Sequence, residues 1–184
     1  MNYGIYKNAR NASWQCLIDC HVTELPVRPV KIAKNYGVVC KENSDFLTSG
    51  VSGEVLQMST GEVVILVHPE QSDQRKRYTI LHELGHYLLG HLSRKPQQED
   101  EYAAERFAAG VLMPACVLWG LGLHTAHDIA CVCNVSQTAA RIRAERMAVL
   151  YQRNMFLTSP LERQVYKQFQ AFIDSTKSDK DITI

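Results

Sequence analysis

Residues 78–91 read YTILHELGHYLLGH, and what decides the fold is the set of polar residues that interrupts this apolar run: His82, Glu83 and His86. A helix turns by about 100° per residue, so positions 82 and 86 lie one turn apart and about 40° from each other around the axis. Two imidazoles so placed converge on one metal ion, with Glu83 beside them to handle a proton. Leu81, Leu84, Leu88 and Leu89 supply an apolar side on which the helix is buried. Gly85 weakens the helix locally and leaves no side chain to crowd a cleft. The pattern implies metal-dependent hydrolysis, with Zn2+ as the expected ion.

A catalytic zinc site has three protein ligands and keeps a fourth position for water, so a third donor is expected outside the helix. His68, His91, His124 and His127 are candidates. Glu101 is the foremost one, fifteen residues past His86, because a helix, a turn and a second helix return a carboxylate to the pair. Glu99, Asp100 and Glu101 suit the start of that second helix electrostatically, which runs through AAERFAAGVLM and stops before Pro114. Glu105, one turn beyond Glu101, is expected to orient a ligand histidine by accepting its other ring proton.

Upstream, the periodicity changes. VVCKEN and GEVLQMSTGEVVILVHP hold short β-branched runs, and Ser59, Thr60 and Gly61 separate two of them as a turn. A small sheet of about three strands is expected. Val63, Val64, Ile65, Leu66 and Val67 are nearly continuous in apolar character, which fits either a buried central strand or an edge that binds substrate by strand addition. The cluster Arg75, Lys76 and Arg77 reads as a solvated loop or helix start, too short for a nucleic-acid footprint.

The flanks read as helical scaffold. Residues 5–20 trace a broken apolar stripe, and PVKIAKNYGV reads as a short helix begun by Pro29 and stopped near Gly37. Residues 117–123 form a loop or short helix. Residues 125–132 and 137–149, with a cap at Ser136, resemble a helix-turn-helix in outline or are ordinary packed helices; DNA binding requires Arg141, Arg143, Arg146 and Arg153 on one exposed face. Residues 161–173 form a last amphipathic helix, followed by a mobile tail.

The 184 residues suffice for a hydrophobic core without disulfide staples. Twenty basic residues against nineteen acidic ones leave a net charge of +1, which gives no general electrostatic case for nucleic acid or an acidic membrane. Neither a signal peptide nor an eighteen-residue apolar span is evident, so a cytoplasmic, reducing location is expected. Cys16, Cys20, Cys40, Cys116, Cys131 and Cys133 are accordingly expected as free, mostly buried thiols, with three disulfides as the alternative.

The combination of RYTILHELGHYLLGH and EDEYAAERFAAGVLMP resembles the ImmA/IrrE family of gluzincin-like zinc metallopeptidases of bacteria, phages and mobile elements. The resemblance spans roughly residues 25–115 and is weaker in the NVSQTAARIRAERM region. It implies an α+β, zincin-like core with a small N-terminal sheet, the HExxH helix and a mostly helical C-terminal part. The expected organisation is one metallopeptidase domain over residues 1–184, with a catalytic core at 25–115 and a helical subregion at 117–173. It implies zinc on His82, His86 and Glu101. The chain departs from the family in carrying Glu105 where Asn or Asp is frequent. The resemblance also implies a protein substrate, a helix-turn-helix repressor encoded nearby that controls a mobile element or stress genes.

On this reading Glu83 is the general base of peptide hydrolysis. A further donor to the oxyanion is sought among Tyr78, Tyr87, Tyr102 and His91. The rival readings are a zinc-supported binding module without catalysis, a DNA-binding regulator using residues 125–149 and, third, a hydrolase acting on a non-peptide bond.

Overall fold

The structure, a computed structural model, describes residues 3–44, 50–93 and 95–181, with side chains to residue 178. It is an α+β fold with a three-stranded mixed sheet, the HExxH helix and a mostly helical C-terminal part, the architecture expected from the sequence. The chain forms two compact units. One takes in the chain up to Ser13 and Arg28–Ala109; the other takes in Trp14–Val27 and the chain from Gly110 on.

In the first unit, α2 (Pro29–Asn35) begins on proline, and the left-handed Gly37 turns the chain into β1 (Val38–Glu42). β2 (Gly53–Gln57) and β3 (Val63–Val67) are joined by a turn at Gly61, also left-handed, whose N–H donates to the Met58 carbonyl at 2.8 Å. The strand order is β1-β3-β2, with β1 parallel and β2 antiparallel to β3. Val63 to Val67 are therefore the central strand, all five residues buried and paired on both sides. This corrects the substrate-binding expectation for them, because a strand paired on both sides has no free backbone edge to offer. The continuous apolar run is what a strand buried on both faces requires.

Helix α3 (Asp73–Leu88) carries the HExxH motif. Ser72 caps it by accepting the Arg75 N–H, and Asp73 complements the helix dipole. The basic cluster lies in its opening turns: Arg75 bonds the Ser52 hydroxyl at 2.8 Å, and Lys76 pairs with Glu42 at 2.9 Å. Ile80, Leu81 and Leu84 are buried, and burial of each leucine contributes roughly 1.5–3 kcal/mol. Gly53 permits close packing here. A Cβ on it would stand 2.6 Å from the Leu66 carbonyl oxygen and overlap the Thr79 methyl. A short 3₁₀ turn (His91–Ser93) follows, entered through the left-handed Gly90. Helix α4 (Gln98–Leu112) then opens with Glu99, Asp100 and Glu101. Gly85 faces α4, where a Cβ would meet Phe107 at 3.0 Å. Its missing side chain serves helix packing, not an open cleft.

The second unit contains α5 (Ala115–Gly120), α6 (Ala126–Cys133), α7 (Gln137–Gln152), α8 (Pro160–Gln168) and α9 (Gln170–Asp181). The C-terminal part of α1 (Tyr3–Asp19) also belongs to it, tied by Gln168 Nε2 donating to the Leu17 and Val22 carbonyls at 2.8 and 2.7 Å. Leu118, Ile129, Met147, Phe169 and Ile173 lie in its core. The single last helix expected over 161–173 is two, meeting at the buried Phe169, and the second continues to Asp181 through part of the expected tail. Residues 182–184 lie outside the described residues.

Asn134 ends α6 in the left-handed conformation, and Ser136 caps α7 by accepting the Ala139 N–H. The arginines of α7 do not share one exposed face. Arg141 and Arg143 point about 200° apart, Arg143 and Arg146 are half-buried, and Arg141 reaches Glu145 at 3.4 Å. No helix among the described residues is long and apolar enough to cross a membrane. All six cysteines are free: Cys16, Cys20, Cys116 and Cys133 buried, Cys40 half-buried and Cys131 exposed.

Candidate metal centre

The last two turns of α3 and the first turn of α4 bring His82, His86 and Glu101 together, with one donor atom of each within 4.8 Å of the others. The Nε2 atoms of the two histidines are 3.1 Å apart. Glu101 Oε2 lies 3.2 Å from His82 Nε2 and 3.6 Å from His86 Nε2. A tetrahedral ion with bonds of about 2.0–2.1 Å spaces its donors by about 3.3 Å, and these separations bracket that value. Two imidazole nitrogens and a carboxylate also form a donor set suited to zinc. The residues fit the ion.

His86 is buried while Glu101 is half-exposed, so the cluster has a protein side and an open side. Burial first and the neighbouring His86 second push the His82 imidazolium down to about 4, against the pull of Glu101. A neutral imidazole has the lone pair that a metal ligand needs. His82 Nδ1 is buried with no hydrogen-bond partner among the described residues.

Glu83 is held from outside its own helix. The Val55 N–H of β2 donates to its Oε2 at 3.1 Å. Burial pushes the carboxyl up to about 8, with the charges of Glu101 and Glu54 adding to the rise and the Val55 N–H opposing it. A carboxyl poised near neutrality is matched to proton transfer.

The other expected residues are distributed differently. Glu105 is half-exposed and pairs with Arg106 at 3.8 Å; as neither ligand ring bonds it, the orienting role expected of it is corrected. His91 is not an oxyanion donor beside the cluster. Its Nδ1 lies 3.1 Å from His86 Nδ1, on the side of the ring away from the other ligands, and its Nε2 is 3.5 Å from Asp100 Oδ1. Among the tyrosines, Tyr78 packs its ring 5.8 Å from that of His82, and burial raises its phenol to about 12. Tyr102 lies 4.9 Å beneath the Arg106 guanidinium, and Tyr87 is rotated about 100° from His86 around α3.

Of the alternative ligands, His68 accepts the Glu70 N–H in the turn after β3, His124 packs its ring at a tilt 4.7 Å from that of Tyr151, and His127 faces Cys131. Val55 and Asp100 were missed by sequence reasoning. Asp100 lies in an acidic run that signals a helix start equally well, and a backbone N–H donor has no residue signature.

Residues 45–145 match the model of a peptidase family described as the IrrE N-terminal-like domain. No curated protein matches the chain.

Proposed function

The chain belongs to the IrrE N-terminal-like peptidase family, and from that premise we propose that it is a zinc-dependent endopeptidase making one defined cut in a helix-turn-helix repressor. His82, His86 and Glu101 hold the ion in this reading. The observation that carries it is the convergence of their three donor atoms beside a carboxylate that none of the three uses. A structural zinc site has no use for an adjacent base. The repressor, the product of a neighbouring gene controlling a mobile element or stress genes, is proposed by analogy with ImmA/IrrE peptidases.

When bound, zinc supplies Lewis acidity, polarising a carbonyl and acidifying water near neutral pH. Glu83 takes a proton from the attacking water and delivers it to the amine nitrogen as the peptide C–N bond breaks. Val55 keeps the carboxylate oriented during both transfers. We assign Tyr78 as donor to the developing oxyanion, because it packs on His82 and its phenol keeps its proton throughout the neutral range.

The substrate strand is assigned to the outer edge of β2. Ser52 and Met58 bond to His68 and Glu62 across the ends of the β2–β3 pair, and the alternation of an antiparallel ladder then turns the backbone groups of Gly53, Val55 and Gln57 outward. That edge runs past Glu83, and strand addition there places a peptide beside the base.

The test is to incubate the zinc-loaded protein and its Glu83→Gln form with the repressor encoded beside its gene and to read intact masses. One cut made by the unmodified protein alone is expected. No cut at one zinc per chain favours a zinc-supported binding module.

A further inference from the structure

Beyond the three ligands, a line of polar groups runs back from the metal position into the protein. His86 directs Nε2 to the cluster, so its other ring nitrogen needs a partner inside. That partner is His91 Nδ1 at 3.1 Å, with the two rings near perpendicular at 69°. The left-handed Gly90 ends α3 and starts the 3₁₀ turn on His91, which brings that residue back against His86. His91 Nε2 reaches Asp100 Oδ1 at 3.5 Å, and Asp100 Oδ2 accepts the Gln97 N–H at 2.8 Å. The His91 and Asp100 side chains are only 12 % and 11 % exposed, so the carboxylate faces the His91 ring largely shielded from water.

The order of donors and acceptors along this line has one consistent solution with neutral rings. A carboxylate accepts and does not donate, so the proton of His91 lies on Nε2. His91 Nδ1 is then an acceptor, and the His86 proton lies on Nδ1 to donate to it. That leaves the lone pair of His86 on Nε2, toward His82 and Glu101. Reversing the central bond would put the His86 proton on Nε2, where it blocks ligation. Asp100 therefore settles the tautomer of a ligand it does not touch.

We propose that His91 and Asp100 are positioning residues, a relay that fixes His86 as its Nδ1–H tautomer and holds its Nε2 on the metal position. The inference rests on the metal reading above. It also gives α4 two tasks from consecutive residues: Glu101 completes the ligand set, and Asp100 orients a ligand on α3. Partners of this kind raise ligand basicity and restrict ring rotation, and their loss costs about 10- to 100-fold in metal affinity.

The test measures zinc affinity of the full chain by competition with a chromophoric chelator, together with imidazole tautomers from long-range 1H–15N correlations. Wild type is expected to bind one zinc, with the proton on Nδ1 of His86 and Nε2 of His91. His91→Phe is expected to weaken zinc binding by about 10- to 100-fold. His91→Asn, whose Oδ1 replaces Nδ1 as acceptor, is expected to recover most of that loss, which a purely steric role would not require. A folded His91→Phe protein that binds zinc as tightly as wild type overturns the relay, as does a His91 proton on Nδ1 in wild type. If His91→Phe does not fold, the wild-type tautomers decide. A wild type that takes up no zinc overturns the metal reading and the relay with it, an outcome distinct from wild type and variants binding equally.

Discussion

The backbone N–H of Val55 donates to Glu83 across 28 residues of sequence, so the carboxylate beside the candidate ligand cluster is held by an edge strand and not by its own helix. Proline tests this tie, because an edge strand tolerates it where the N–H is outside the ladder. Val55→Pro is expected to keep the fold and one zinc per chain while lowering turnover by about 10- to 100-fold, the range for a lost hydrogen bond to a charged group. Glu83→Gln retains an acceptor for Val55, so it is expected to keep the local structure while abolishing cleavage. Steady-state rates with circular dichroism and metal analysis check both. Unchanged turnover in Val55→Pro would show that Glu83 is held by other contacts.

The two glutamates of the ExxxE pattern are expected to behave unequally. Glu101 Oε2 stands 3.2 and 3.6 Å from the two histidine Nε2 atoms, the spacing of donors that share an ion, whereas Glu105 is half-exposed against Arg106. Glu101→Ala should cost more zinc affinity than the roughly 100-fold upper range for losing an outer partner. Exposed ion pairs contribute about 0–1 kcal/mol, so Glu105→Ala should change affinity by about fivefold or less. Chelator competition on the two variants decides, and equal losses would return Glu105 to the orienting role suggested by its spacing.

The metal helix and the acidic start of its partner were legible because their signals are local. His82, Glu83 and His86 fall on one arc of a helix whose cap and apolar side are written within a few residues of them. The small sheet was legible in the period change that begins at Val38, whereas the α+β zincin-like class came from the family resemblance. Less legible was which strand lies at the edge, since an apolar run such as Val63–Val67 specifies burial without specifying neighbours. The orienting partner of His86 was misplaced for a related reason. Spacing along α4 favoured Glu105, but the reversal at Gly90 brings His91 there first, and a tertiary approach of that kind has no periodic signature.

Two glycines separate fold stability from metal geometry. Gly53→Ala drives a methyl toward the Leu66 backbone carbonyl, which cannot rotate away, and a loss of about 1–3 kcal/mol is expected from overpacking. Gly85→Ala meets a Phe107 ring edge and gains about 0.8–1 kcal/mol in helix propensity, so its melting temperature should fall less. It nevertheless pushes α3 from α4, and with them the histidine pair from Glu101. Gly85→Ala is therefore expected to lose more zinc affinity than Gly53→Ala while melting at a higher temperature. Both orderings reversed would mean that α3–α4 packing does not set the ligand spacing.

The thiols provide a pH-dependent test of burial that leaves the metal centre untouched. Thiolate is the form that reacts with iodoacetamide. Burial raises Cys40 to about 11, and burial together with the charge of Glu162 raises Cys116 to about 12, so both are protonated at neutral pH. At pH 8 only about a thousandth of Cys40 is thiolate, and its labelling rate should rise about tenfold per pH unit until the pH approaches 11. Cys131 is exposed and should account for one fast equivalent in the native protein, lost in Cys131→Ser, while Cys116 reacts only on unfolding. In denaturant all six cysteines should label without reductant. Mass-resolved alkylation from pH 7 to pH 10 reads these rates. Fast labelling of Cys40 near neutrality would mean that β1 opens to solvent, because a thiol held in the folded strand gains its thiolate only as the pH rises.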